Sequence, residues 1–276
     1  MNAESDPLVS EWKSYATNPK LNLIEKCLKL AQILEYPTLD IEKEVQKIIN
    51  LGVLLKNSIV ESKNQTYKIS LLNEFLFQKC GFRGDMEDYY NPKNNFLNHV
   101  IEKKIGIPIT LAILYSEMGK NVGLNLRIIG FPSHVVVEGG EELMLDPFNS
   151  GKRLSEEDLQ EILFQNYGEN VQLIPEYLNE ITTEQILIRI LRNLKSSYNQ
   201  SYAYEKSMRC NMMILAIRPD SPDEIRDIGL LEERKMNYKK SIEYLDRYLK
   251  LDPNAEDADF VLELIKKMRE SKTNYQ

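Results

Sequence analysis

Apolar residues recur at helical spacing through residues 1–80. Ile24, Leu28, Ala31 and Leu34 form one stripe, which Pro37 breaks. Ile41, Val45, Ile48, Gly52 and Leu55 mark a second helix. Leu72, Phe75 and Leu76 mark a third, stopped by Gly81 and Gly84. The polar stretch from Asn57 to Gln65 reads as a loop. This N-terminal region, 1–80, is expected to be a helical layer packed on the core of the protein.

The pattern then changes. From Ile107 to Tyr115 the chain is apolar on every side, and a helix without a polar face is buried all round. Pro108 is tolerated in its first turn, where a missing N–H costs little. After Gly123 come three short β-rich runs, Leu126–Phe131, His134–Glu138 and Leu143–Phe148. One central helix followed by a small antiparallel sheet is an α+β arrangement, assigned to residues 81–180. Gly139-Gly140 reads as the hairpin turn between the second and third runs. A three-residue loop, Gly139-Gly140-Glu141, pairs Glu138 with Glu142, Val136 with Met144 and His134 with Asp146, whereas a two-residue loop throws Asp146 onto the other face.

Helical periodicity returns after the sheet. Ser155 to Asp158 opens a helix with acids in its first turn. From residue 181 to 276 the chain repeats itself. Pro219 and Pro253 are 34 residues apart, as are Leu194 and Ile228, Tyr204 and Tyr238, Met208 and Ile242, and Leu215 and Leu249. A helix–turn–helix of that period with a closing proline is the tetratricopeptide signature. Tyr238, Ile242, Leu245 and Leu249 stripe the second helix of the later copy. Ser221-Pro222-Asp223-Glu224 reads as a capping box opening the first. A last amphipathic helix, with Val261, Leu264, Ile265 and Met268 on one face, is expected to cap the stack.

Composition narrows the chemistry. A net charge of −7 and a pI near 5.2 disfavour binding to a phosphate backbone, so no nucleic-acid partner is expected. No apolar run is long enough to span a bilayer, and the N-terminus lacks the apolar segment of a secretory signal. Cys27, Cys80 and Cys210 are far apart and form no CxxC, which suits a reducing, cytoplasmic compartment. His99 and His134 are the sole histidines, so a three-histidine zinc site is excluded, and no metal or cofactor is expected.

Several segments share an order and spacing with a known family. They are Asn95-Phe-Leu-Asn-His-Val100, Gly106-Ile-Pro-Ile-Thr-Leu-Ala112, Gly123-Leu124, Pro132-Ser-His134 and Asp146-Pro-Phe-Asn-Ser-Gly151, with a looser match from Gly81-Phe82 to Tyr89-Tyr90. The stretch Asn94–Leu154 resembles the transglutaminase-like core of the bacterial SirB-one family, whose members join that core to tetratricopeptide repeats. With the repeats, the likeness runs from Leu72 to Leu264. It implies a papain/transglutaminase-type scaffold in which a Cys opens the buried helix, a His sits on one strand and an Asp on the next orients it. Such a nucleophile needs all three groups, because the thiol needs a base and the base needs its tautomer held. The superfamily's helix carries a Gly two residues before the Cys and an Ala four after it. Gly106 and Ala112 fit that frame and place Pro108 at the nucleophile position. His134 and Asp146 fall where the base and its orienter belong.

The resemblance therefore implies a relic or residual dyad, His134 and Asp146, beside a vacant nucleophile position at Pro108. Thr110 is the nearest hydroxyl on the helix and points elsewhere. Cys80 reads as a turn thiol, and Cys27 and Cys210 as small core residues. His99 reads as a packing residue. Arg83, Arg127 and Arg153 are candidates to line a polar cleft. The expectation is a non-catalytic protein whose repeats bind a protein or peptide partner. The alternative is a hydrolase or acyl transferase using His134 and Asp146 with a nucleophile supplied from elsewhere.

Overall fold

A computed structural model of the chain describes residues 6–58, 64–140 and 143–273. Helix α1 (Pro7–Ala16) starts at Asp6, whose carboxylate accepts the Leu8 N–H at 2.9 Å. Pro7 sits at the first helical position, where its missing N–H breaks no bond. Helix α1 does not join the helices next to it in sequence. Met1–Asn18 forms one compact unit with Leu191–Gln276, and Pro19–Ile190 forms the other. The expectation of a continuous layer over residues 1–80 therefore fails at its first element. The cause is Trp12, which is fully buried and donates its indole N–H to the Met213 carbonyl at 2.9 Å. Burial of so large an aromatic with its one polar atom satisfied outweighs chain proximity.

The unit Pro19–Ile190 opens with α2 (Leu23–Leu34) and α3 (Ile41–Asn57). Asn22 and Glu25 form a reciprocal capping box on α2. Gly52 falls in the apolar stripe of α3 for a steric reason: a Cβ there would lie 2.5 Å from the Asn121 side chain. Helix α4 (Gln65–Asn73) passes into a π-helical turn, Glu74–Lys79. Of the predicted loop between α3 and α4, residues 59–63 lie outside the described residues. Strand β1 (Arg83–Gly84) pairs in parallel with β2 (Ile105–Gly106), a pairing the hydropathy pattern does not announce. Between them lies α5 (Leu97–Lys103). Helix α6 (Pro108–Lys120) is buried from Pro108 through Ser116, as its unbroken apolar run requires. Helices α3, α4 and α5 and strands β3 (Arg127–Ile129) and β4 (Val136–Glu138) all pack on it. Residue 80, expected as a boundary, is thus inside this unit.

The sheet continues with β5 (Met144–Asp146) and β6 (Lys152–Leu154), in the antiparallel order β3-β4-β5-β6. The fourth strand, with Lys152 and Arg153 exposed, has too few apolar residues to stand out in the sequence. The hairpin register differs from expectation by two residues. Glu138 lies opposite Met144 and Val137 opposite Leu145, not Glu138 opposite Glu142. Gly139 donates to the Leu143 carbonyl at 2.8 Å, so the strands run one pair further before the turn. Glu141 and Glu142 lie outside the described residues. A shift of two preserves parity, and His134 and Asp146 stay on the same side. Ile129, Val136, Met144 and Leu154 form one apolar face, closed by Leu159 and Leu163 of α7 (Glu156–Tyr167). Ser155 and Asp158 cap α7 as predicted.

The second unit contains α1, most of α8 (Thr183–Gln200), and then α9 (Tyr204–Ile217), α10 (Pro222–Arg234), α11 (Tyr238–Leu251) and α12 (Ala258–Thr273). Its 34-residue repeat reaches the backbone. Tyr202 and Met236, one period apart, both adopt φ 58°. Ser207 and Ser241 are both fully buried. At the second of these, Ser241 donates to the Gly229 carbonyl at 2.8 Å, where α10 and α11 touch. Val261, Ile265 and Met268 of α12 close over Ile225, Leu245 and Tyr248. The capping box at Ser221 does not form. Glu224 is fully buried, and a buried carboxylate needs cations more than a helix start needs a cap. Arg192 donates to it at 2.9 and 3.0 Å and Lys195 at 3.0 Å, while the Ser221 hydroxyl donates to the same carboxylate.

Candidate active site

His134 closes a tight turn, its N–H bonded to the Phe131 carbonyl at 3.1 Å, with Ser133 at φ 56°. It stands just before β4 rather than within it. The guanidinium of Arg189 on α8 clamps this turn by donating to the Phe131 carbonyl at 3.1 Å and to the His134 carbonyl. Arg189 is not among the candidates that sequence reasoning yields. The available signal is a lone cation in the apolar run Ile186-Leu-Ile-Arg-Ile-Leu191.

Asp146 ends β5 and is almost wholly buried. Its Oδ2 lies 3.0 Å from His134 Nε2 and accepts the Asn149 side-chain amide at 2.7 Å. Its Oδ1 accepts the N–H groups of Phe148 and Asn149 at 3.0 and 3.3 Å. Burial alone would raise its pKa. The bonds from His134 and Asn149 outweigh burial and hold the carboxyl below its ordinary value. Asp146 is therefore an anionic anchor whose lone pairs are all taken. With Nε2 turned to Asp146, His134 presents Nδ1 as its remaining ring nitrogen, and among the described residues Nδ1 has no hydrogen-bond partner. In chemical terms the pair is a held imidazole with one nitrogen available to a proton or ligand.

Aromatic contacts connect the dyad to the start of α6. The His134 ring meets Phe148 edge-on at 6.1 Å, and Phe148 meets Tyr89 at 6.0 Å. Phe148 lies over Gly84, where a Cβ would come within 2.6 Å of the ring. Gly84 pairs with Gly106, two residues before Pro108. Pro108 is the first residue of α6 and has neither side-chain donor nor N–H. The Thr110 hydroxyl is committed locally. It accepts the Ile107 N–H at 3.1 Å and lies 2.9 Å from the Asn94 carbonyl.

The thiols are poor nucleophiles where they stand. Burial pushes Cys27 up to about 12, and it raises Cys80 and Cys210 as well. The three arginines do not converge. Arg83 is on β1, Arg153 is exposed on β6, and Arg127 on β3 is ion-paired across the strands with Glu138. Since β3 and β6 are the two edges of a four-stranded sheet, Arg127 and Arg153 are separated by ~14 Å. His99 is half-buried on α5, and burial lowers its pKa. Among the described residues no group of histidine, cysteine and carboxylate side chains is arranged to hold a metal ion.

The family model described as the transglutaminase-like superfamily matches residues 42–192, more than half of the chain. The chain belongs to the transglutaminase-like superfamily. A tetratricopeptide-repeat model matches residues 194–266 of this transglutaminase-like chain. The chain is similar to the UPF0162 protein of Xylella fastidiosa, with 33% identity covering 92% of this chain and 93% of that one. It is also similar to the UPF0162 protein of Vibrio cholerae, at 30% identity over 75% of this chain and 80% of the other. Its identity to Protein SirB1 of Salmonella typhimurium is 25%, over 72% and 74% of the two chains. The transglutaminase-like match covers α6, the sheet and the His134–Asp146 pair, and the repeat match covers α9 to α11. Among the described residues no helix is long and apolar enough to cross a membrane.

Proposed function

We propose that this transglutaminase-like protein is non-catalytic, and that its tetratricopeptide repeats dock a protein or peptide partner in the cytoplasm. Pro108 carries the reading. The family frame of Gly106 and Ala112 aligns it with the nucleophile, and it opens the buried helix. A thiolate at a helix N-terminus is stabilised by the dipole and a neighbouring imidazole. Proline supplies no thiol there, and the remaining members of such a constellation do not replace a missing nucleophile. The His134–Asp146 pair then serves to tie the Phe131–His134 turn to the end of β5.

A second reading has one observation in its favour: the oriented imidazole with Nδ1 unengaged among the described residues. It makes the protein a hydrolase or acyl transferase that uses His134 and Asp146 with a nucleophile supplied from elsewhere. The test is a panel of glutamine-plus-amine, peptide and thioester substrates, with Cys80→Ala and His134→Ala as controls. An inert wild type, with His134→Ala altering only stability or partner binding, is the expected outcome. Turnover that disappears in either variant refutes the non-catalytic reading.

A further inference from the structure

Helix α7 uses one face for the core, through Leu159 and Leu163, and leaves the other face to a groove of about 660 Å³. The groove's opposite wall is the extended segment after α7, which continues into the short 3-10 turn Pro175–Leu178. The Gln160 side chain holds that wall in place. Its amide donates to the Val171 carbonyl at 2.7 Å and its oxygen accepts the Leu173 N–H at 2.8 Å. A groove fixed in this way is paid for at folding and need not be ordered by an occupant.

The lining divides sharply. Phe164, Leu173, Ile174 and Leu178 are apolar, and Ile174 is 40% exposed. Glu156, Glu157 and Glu161 line the α7 side. The helix dipole accounts for acids in the first turn of α7, and Lys152 neutralises Asp158 at 2.7 Å. Neither explains the wider pattern. From Leu154 to Ile188 the chain has eight Asp and Glu residues and no Lys or Arg. Polar side chains without cations keep the rim anionic, while the floor stays apolar.

We infer that this groove docks a basic amphipathic peptide segment of a partner protein, its apolar side chains on the floor and its Lys or Arg residues against the α7 glutamates. Charge complementarity selects that occupant. A second copy of this chain brings its own net charge of −7 to an acidic rim. The groove shares no residue with the His134–Asp146 pair or with the repeats, so it does not depend on the function proposed for them.

The probe is a fluorescein-labelled 16-residue peptide of Lys and Leu with its leucines at helical spacing, followed by anisotropy on the full chain. A peptide of the same composition with the leucines scattered is the control. The patterned peptide is expected to bind at least ~10-fold more tightly than the control, and more weakly as salt rises. Glu157→Lys/Glu161→Lys and Ile174→Asp, both at exposed positions, are each expected to weaken it about 10-fold with an unchanged circular dichroism spectrum. Several results overturn the proposal. They are absence of binding, equal binding of the two peptides, or indifference to both variants. Concentration-dependent self-association abolished by Ile174→Asp also overturns it, because the occupant is then a second copy.

Discussion

Replacing Glu224 by Gln removes the anion at the centre of the Arg192–Lys195 cluster while keeping the shape of the side chain. Burial by itself would raise the Glu224 pKa. Hydrogen bonds from Arg192 and Ser221 and the charge of Lys195 reverse that and hold it at about 2, against an ordinary 4.5. The difference corresponds to about 3 kcal/mol of stability at neutral pH. Arg192 is 41% exposed, and solvent screening brings the expectation to about 2 kcal/mol. The assay is built into the chain. Trp12 is the sole tryptophan, fully buried and bonded to Met213, so its fluorescence follows the unit that contains Glu224. A loss of about 2 kcal/mol moves the urea midpoint down by roughly 1 M for a unit of this size. The sign with pH is also defined. Because the folded pKa is depressed, the stabilisation is complete above the ordinary value and declines as pH falls through about 2. The gap between wild type and Glu224→Gln at pH 3 is expected to be less than half its value at pH 7. A midpoint shift under about 0.3 M at pH 7, or a gap of the same size at both pH values, refutes the assignment.

The core unit supplies two further tests. Asp146→Asn sets an amide donor against four donors and is expected to lower stability by roughly 2–4 kcal/mol, read by thermal melts in far-ultraviolet circular dichroism. Since the Asp146 pKa is depressed, the gap to wild type narrows as pH falls through that lowered value, and a gap independent of pH contradicts the anchor role. Gly84→Ala places a Cβ 2.6 Å from the Phe148 ring and 2.7 Å from its carbonyl oxygen. Because one contact is backbone, the cost is expected to be about 1–3 kcal/mol, and a neutral result in the same melts shows that the 147–149 turn yields freely.

What was legible in the sequence was whatever a period or a run could carry. An all-apolar stretch identified α6, and a 34-residue period located the repeats, whose backbone then repeats in the structure at Tyr202 and Met236. Strand parity brought His134 and Asp146 to one side although the register was off by two, since facing depends on odd against even and not on the exact partner. What stayed hidden depends on pairing at long range. Trp12 lies in an ordinary amphipathic helix, and nothing local says that its partner is 201 residues away. Arg189 and Glu224 are charged residues within helices, and what each binds is decided by tertiary burial. The Ser221 capping box failed for the same reason. Local preference is worth about 1 kcal/mol, less than leaving a buried carboxylate unpaired.

The position of α1 has a consequence for synthesis. Helix α1 is synthesised well before its docking site on α9, which follows the whole of Pro19–Ile190 in sequence. At about 5–20 residues per second, Trp12 waits on the order of 10–40 s before Met213 emerges. During that interval the intervening residues can complete a structure of their own, because Pro19–Ile190 is a compact unit by itself. The nascent chain thus carries the Trp12 helix without its partner throughout the translation of the residues between Trp12 and Met213.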